Sequence, residues 1–541
     1  MSKRLLTSAA VAAAVMAVLA ASCSSSTDRD TSSALPATST STAVAARSGV
    51  GQAAPEDQLS EDDWSSPGHD LQGNRAVVDS PINASTINQL APTWSVELPG
   101  AGAYGNAASG PVIVGDTVVV QDLTSSVRAI DLHTGAVRWT RTYAEFSIGP
   151  NGPAVGYGRV FVAKGTKQIA ALDLRTGAEV WSRDLTTTPT QGIDIQPQVF
   201  GGMVYASTVP ISLEGQYSGG DRGTLYALDA ATGVTRWSFD TVKGDDLWGD
   251  ATVNSGGGAW YTPTVDTATG TIYWGIANPA PFPGIEGRPN GSSRPGPNLY
   301  TDSVVALDAA TGVLRWYHQA VEHDLFDRDL VHTMVVHVGG DGSAGDGSSG
   351  GAGAHDVVVG TGKLGRVIGL DPASGDLLWD TPVGVHHNDD LTSLSGPTEV
   401  LPGTFGGVLT PPAAADGVVY VAVINAPSTL EPDKPSYIGS DLGKRPGNVV
   451  AVSAADGSVL WSVDIAGDPL GGATVLGDLV LTGTADGLLI ALDRSTGRQV
   501  WTHQAPGGLN GWPAASGGTL LWPIGLAKPA VLMAFGLPSA P

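Results

Sequence analysis

The sequence predicts an all-β fold: an eight-bladed β-propeller closed by pairing of its N- and C-terminal strands. Three observations carry this expectation. The pattern A-x-D-x-x-T-G-x-x-x-W recurs at AIDLHTGAVRW, ALDLRTGAEVW, ALDAATGVTRW, ALDAATGVLRW and ALDRSTGRQVW, with degenerate copies GLDPASGDLLW and AVSAADGSVLW. A chain of 541 residues with 73 glycines, 36 prolines and 42% hydrophobic content favours short strands and turns over helices. The two ends are also complementary. LAPTWSVELPG offers a last strand with no repeat before it, whereas GGTLLWPIG and AVLMAFGL follow the last repeat without a closing tryptophan.

Each part of the repeat has a physical role. The apolar residues before the aspartate form one strand, and Asp-x-x-Thr-Gly supplies a tight turn. The following strand ends in a tryptophan large enough to fill the space between neighbouring sheets. With further short apolar runs upstream, such as GRVFVAKG, each repeat amounts to about four antiparallel strands, the size of one propeller blade. The closing residues are Trp139, Trp181, Trp237, Trp316, Trp379, Trp461 and Trp501, with Trp94 as the eighth.

Blade length is uneven. Trp139 to Trp181 is 42 residues and Trp461 to Trp501 is 40, but the four intervals between Trp181 and Trp461 are 56, 79, 63 and 82. The extra length falls in loops on consecutive blades, where a rigid scaffold carries function. The glycine-rich run from Gly339 to Gly353 reads as a disordered excursion.

The net charge of -24 and pI near 4.6 exclude nucleic acid and a basic membrane-binding surface as partners. The single cysteine, Cys23, rules out a disulfide framework. Lys3 and Arg4, an apolar run from Leu5 to Leu19 and then LAASC resemble a bacterial lipoprotein signal over 1–23, with Cys23 lipidated; ordinary secretion with cleavage in the Ala/Ser stretch is the alternative. Residues 24–61, rich in Ser, Thr and Ala, read as a disordered tether, leaving 62–541 for the propeller.

Antiparallel order places the connection between second and third strands, and the connection from one blade to the next, on the same face of the ring. By that parity Glu214, Trp260, Asn278, Asp327 and Lys363 reach one rim from consecutive long blades. The connection EHDLFDRDL adds Asp329, two positions beyond Asp327. Each residue also has an ordinary role open to it. The aspartates and Glu214 could be solvated, Trp260 could be core, Asn278 could bond its own turn, and Lys363 could be a surface lysine.

The stretches GGGAWYTPTVDTATGTIYWGIANPAPF and SVVALDAATGVLRWYHQAVEHDLFDRD resemble the quinoprotein dehydrogenases, which bind pyrroloquinoline quinone (PQQ) in an eight-bladed propeller of PQQ-type repeats. DDWSSPGHDLQGNR and SLEG…RGTLYALD look more like their polyvinyl-alcohol dehydrogenase branch. The resemblance implies that Trp260 is the floor on which the quinone stacks and that Lys363 contacts its oxygens. It implies that Glu214, Asn278 and Asp327 bind a metal and that Asp327 is the catalytic base. Asp329 resembles the extra carboxylate of lanthanide-using members, so Ca2+ or a lanthanide is expected. Hard cations take oxygen ligands, and an added anion favours a trivalent ion.

The sequence departs from the family at named places. With Cys23 alone, no vicinal disulfide can cover the quinone, and EFSIGPNGPAVG stands in that region. An asparagine expected in FGGVLTPPA is absent, and Phe326 replaces a frequent tryptophan. No CxxCH haem motif is present, which implies a separate electron acceptor such as a cytochrome. The expected function is an exported alcohol or polyol dehydrogenase, lipid-anchored to the outer face of the cytoplasmic membrane. The alternative is a non-catalytic propeller used for envelope assembly or ligand binding.

Overall fold

A computed structural model describes residues 51–58, 63–213, 216–217, 219–339, 354–435 and 445–538. The predicted signal, Cys23, Glu214 and the glycine-rich run at 340–353 lie outside the described residues.

Eight four-stranded antiparallel sheets form the blades of a propeller. The first runs Val112–Val114, Thr117–Gln121, Val127–Asp131 and Val137–Arg141 from the axis outward. The eighth is built from both ends of the chain. Ala514–Ser516, Thr519–Ile524 and Val531–Gly536 are completed by Ala91–Glu97, with Trp94 opposite Ala534. This pairing closes the ring and gives the last sheet a partner for its outer edge.

The closing tryptophans do more than fill space. In every blade the outermost strand carries a register shift immediately before its tryptophan, as between Ala129↔Trp139 and Ile130↔Val137. Such a bulge adds one residue and re-aims the next side chain. The indole then reaches the following blade. Trp139 Nε1 donates to Leu174 O at 2.9 Å, Trp237 Nε1 to Ala309 O at 2.9 Å, and Trp94 Nε1 to Leu132 O at 3.0 Å. Beneath seven of the eight rings, all but that of Trp501, lies the glycine that closes the next blade's Asp-x-x-x-Gly turn. Gly177 has φ 69° and its missing Cβ would stand 2.5 Å from the Trp139 ring. Aspartate, glycine and tryptophan of the motif are therefore one interlocking joint between blades.

The segment after Asp63 stitches the ring from one end of its axis. Val265, Val335, Ala414 and Val475, on the innermost strands of four blades, donate their N–H groups to the carbonyls of Leu71, Gln72, Asn74 and Arg75. Arg75 is fully buried: Nε donates to Ala473 O, Nη1 to Pro67 O, and Nη2 to Thr474 Oγ1 and Pro513 O. At the far end of the expected tether, Pro55–Gln58 forms a 3-10 turn. The buried Glu56 there accepts the N–H groups of Tyr157 and Gly158, so 51–58 is packed against the second blade rather than free.

Candidate active site

A cavity of about 1030 Å³, counting its solvent-open mouth, lies on the axis. Trp260, Asn278, Asp329 and Lys363 line it, with Asp327 directly behind Lys363. Tyr261 and Trp512 line both this cavity and a smaller one on the Arg75 side, so their rings, 5.8 Å apart, partition the axis. Trp260, half-buried, offers its ring to the cavity beside Tyr261, 4.5 Å between centroids.

The acidic connection EHDLFDRDL turns sharply, and the reasons are local. Asp324, buried, accepts the N–H groups of Phe326 and Arg328, each at 2.7 Å. Asp327 and Asp329 take φ of 66° and 22°, the left-handed region costly for a non-glycine residue. Gly362 permits the approach that holds them, because a side chain there would overlap the Asp329 carbonyl. The Lys363 N–H donates to that same carbonyl at 3.0 Å.

Lys363 joins the two carboxylates. Its Nζ is 2.8 Å from Asp327 Oδ2 and 2.7 Å from Asp329 Oδ2, and 5.5 Å from the Trp260 ring centroid. Asp329 Oδ1 accepts the Asn278 N–H at 2.8 Å, which ties the second strand of the fourth blade to the connection that follows it. The Asn278 side-chain amide donates to Pro279 O at 3.1 Å. Arg328 points elsewhere, to the carbonyls of Pro402 and Asp389. Asp329 thus faces the same lysine as Asp327 and not its neighbour Arg328.

Burial dominates the electrostatics. It pushes the Asp327 carboxyl up to about 8, against the pull of the Lys363 ammonium. Lys363 is held well above its ordinary value, because Asp327 and Asp329 outweigh its own burial. Asp302, at 0% exposure with both carboxylate oxygens unpaired, is raised well above the carboxylate range by burial and then by Asp324 and Asp329. Arg294, fully buried, donates to the carbonyls of Pro281 and Asp324. Sequence reasoning missed Asp302, Arg294 and a further cavity acid, Asp194. The available signal for Asp194 is its position in GIDIQP, a charge set directly between two isoleucines.

Four of the five parity-related residues, Trp260, Asn278, Asp327 and Lys363, therefore meet at the axis together with Asp329, while Glu214 lies outside the described residues. Among the described residues no group of three or more His, Cys, Asp or Glu is placed to hold a metal ion; the carboxylates converge on Lys363. The donor types, carboxylate and amide oxygens, are those a hard cation takes.

Residues 191–343, spanning most of this site, match the family described as glucose/ethanol/alcohol dehydrogenase, beta-propeller domain. Over this stretch the chain is similar to the propeller domain of the PQQ-dependent dehydrogenases. Residues 445–523 match the family described as outer membrane protein assembly factor BamB. The quinohemoprotein alcohol dehydrogenase of Comamonas testosteroni is 27% identical over 511 residues, 82% of this chain and 69% of that protein. Its crystal structure superposes with a TM-score of 0.73 at 24% identity, covering 88% of this chain and 80% of that one. The polyvinylalcohol dehydrogenase of Sphingopyxis sp. is 26% identical over 470 residues, 78% of this chain and 64% of that protein. A europium-containing methanol dehydrogenase has the same fold, with a TM-score of 0.70 at 19% identity over 89% of this chain and 99% of that one. These superpositions show that the chain shares the eight-bladed propeller fold of those proteins.

Proposed function

We propose that the protein is an exported quinoprotein dehydrogenase, anchored through lipidated Cys23 to the outer face of the cytoplasmic membrane, that oxidises an alcohol or polyol to a carbonyl. The observation that carries the reading is the Asp327–Lys363–Asp329 triad beside the Trp260 ring in the axial cavity. A PQQ group held there with Ca2+ or a lanthanide would supply the two-electron acceptor for hydride from the alcohol carbon. Trp260 provides the flat apolar surface that a planar group needs. Asp327, Asp329 and Asn278 would supply oxygen ligands for the cation, with Glu214 as the further ligand the family resemblance implies. Asp327, raised towards neutrality, takes the alcohol proton at Oδ, since a base works best with a pKa near the working pH. Lys363 holds that carboxylate in place and keeps a positive charge against the oxygens of a bound quinone. Electrons then pass to a separate acceptor such as a cytochrome.

The test is reconstitution. Purified protein given PQQ with calcium or a lanthanide gains dye-linked turnover on a panel of alcohols, polyols and sugars. No gain with either metal on any of them removes the reading. The second reading, an envelope-assembly scaffold, draws on the match of 445–523 to BamB. That match covers strands of the sixth to eighth blades and none of the candidate site residues, so it speaks for the repeat itself.

A further inference from the structure

The axial cavity contains an acid that the proposed reaction does not use. Asp194 lies in GIDIQP between the fully buried Ile193 and Ile195, in the connection between two strands, and lines the axial cavity. Both flanking positions are pinned. The Ile193 N–H donates to Thr166 O at 2.9 Å, and the Ile195 N–H to Asn151 Oδ1 at 2.8 Å. The carboxyl group packs against the backbone of Gly149, where any side chain would overlap both of its oxygens. Its Oδ1 is buried and makes no hydrogen bond.

The cavity has little positive charge to offset this acid. Lys363 is its single cationic lining residue among the described residues, and Asp327 and Asp329 already engage that lysine. A planar acid such as PQQ carries several carboxylates, so an ionised Asp194 would repel it. A neutral Asp194 would instead offer an O–H donor in a place with no competing partner.

We propose that Asp194 is a specificity-determining residue of the axial cavity, donating its carboxyl O–H to an acceptor oxygen of the acidic planar ligand. This rests on the quinone reading above. Burial supports it by pushing the carboxyl up to about 8. The groups facing the same space do not share this behaviour. Tyr104 and Tyr261 are raised by burial and by Asp194 itself, and stay neutral through the same range. Lys363 stays charged, and His332, packed on Tyr261, is lowered by burial to about 3 and stays neutral. Asp327 does titrate near 8, so the informative quantity is the difference between wild type and an Asp194 variant.

The experiment is a PQQ titration at fixed calcium, read by quenching of tryptophan fluorescence, from pH 6 to pH 9.5 on wild type, Asp194→Asn and Asp194→Ser. Affinity of the wild type falls more steeply above pH 8 than that of either variant, by up to about tenfold per pH unit, because only the protonated fraction binds. The amide and the hydroxyl donate at every pH, so both variants lose that component. Parallel pH profiles in all three proteins overturn the role of Asp194 and leave the quinone reading intact. A variant that binds PQQ at pH 6 when wild type does not shows a repelling carboxylate and overturns the donor role alone. Absence of quenching in all three at every pH overturns the quinone reading and the donor role with it.

Discussion

Two sets of aspartates divide the molecule. Those of the repeat turns lie on the rim of the ring and hold their charge. Asp131 accepts from Arg138, from the Thr134 hydroxyl and from the Thr134 N–H, and these contacts pull its carboxyl well below the usual range. Asp173 is lowered by the Thr176 hydroxyl in the same way. The aspartates of the fourth-to-fifth blade connection behave in the opposite sense. Asp327 sits at 3% exposure in a left-handed backbone conformation, and burial pushes it up to about 8. One residue type does two jobs. On the rim it closes a turn, whereas at the axis the fold spends stability to hold a carboxylate away from water.

The largest effect that sharpens this contrast should come from the lysine. Lys363→Met leaves Asp327 and Asp329 buried without their cation and should cost about 3–5 kcal/mol of unfolding free energy, read by chemical denaturation. A loss below about 1 kcal/mol would mean that the carboxylates are not held by Lys363. Next comes the joint between blades. Trp237→Ala removes a buried ring that donates to Ala309 O and covers Gly312, and should cost about 3–5 kcal/mol. Trp501, half-buried, has no such hydrogen bond among the described residues, and Trp501→Ala should cost measurably less.

A third, smaller effect is a pH slope. A carboxyl raised by folding binds its proton in the native state while the unfolded chain has lost it, so stability falls as pH rises between the two pKa values. For Asp194 that window runs from 3.8 to about 8. The Tm of Asp194→Asn should gain on wild type from pH 4 to pH 8; a constant difference would place the native carboxyl at its ordinary value. Asp131 works the other way, and its contribution should be present at neutral pH and lost in acid. The smallest effect on the folded domain is at the terminus. Cys23→Ser should leave stability unchanged and release the protein from the membrane fraction or block its processing. Unchanged membrane association would remove the lipid anchor.

The architecture was legible because the motif is a joint repeated around the ring. Asp, Thr-Gly and Trp recur at fixed spacing since each blade must meet the next in the same way, and Trp94 could be assigned to the last blade because the strands after Trp501 lack a closing tryptophan. The bulge before each tryptophan was not legible, because the residue it adds differs from blade to blade: Arg138, Val180, Leu378. At the axis, strand parity brought Trp260, Asn278, Asp327 and Lys363 together. Parity states which rim a residue reaches and not what it touches. It left open that Asp329 would share Lys363, and gave no hint of Asp194, Asp302 or Arg294, whose roles come from the packing of irregular connections: Arg294 on the Pro281 and Asp324 carbonyls, Asp194 on Gly149.

The contrast between rim and axis is tested most directly by measuring turnover and stability side by side in Asp131→Asn and Asp327→Asn. Both are read after loading with PQQ and metal, against wild type in the same dye-linked assay and the same denaturant series. Asp131→Asn should lower stability and keep wild-type turnover. Asp327→Asn should keep the propeller folded, with turnover reduced by about a hundredfold to ten-thousandfold, as expected for loss of a catalytic base. Turnover that survives in Asp327→Asn would contradict the assignment of the axial carboxylate as the base.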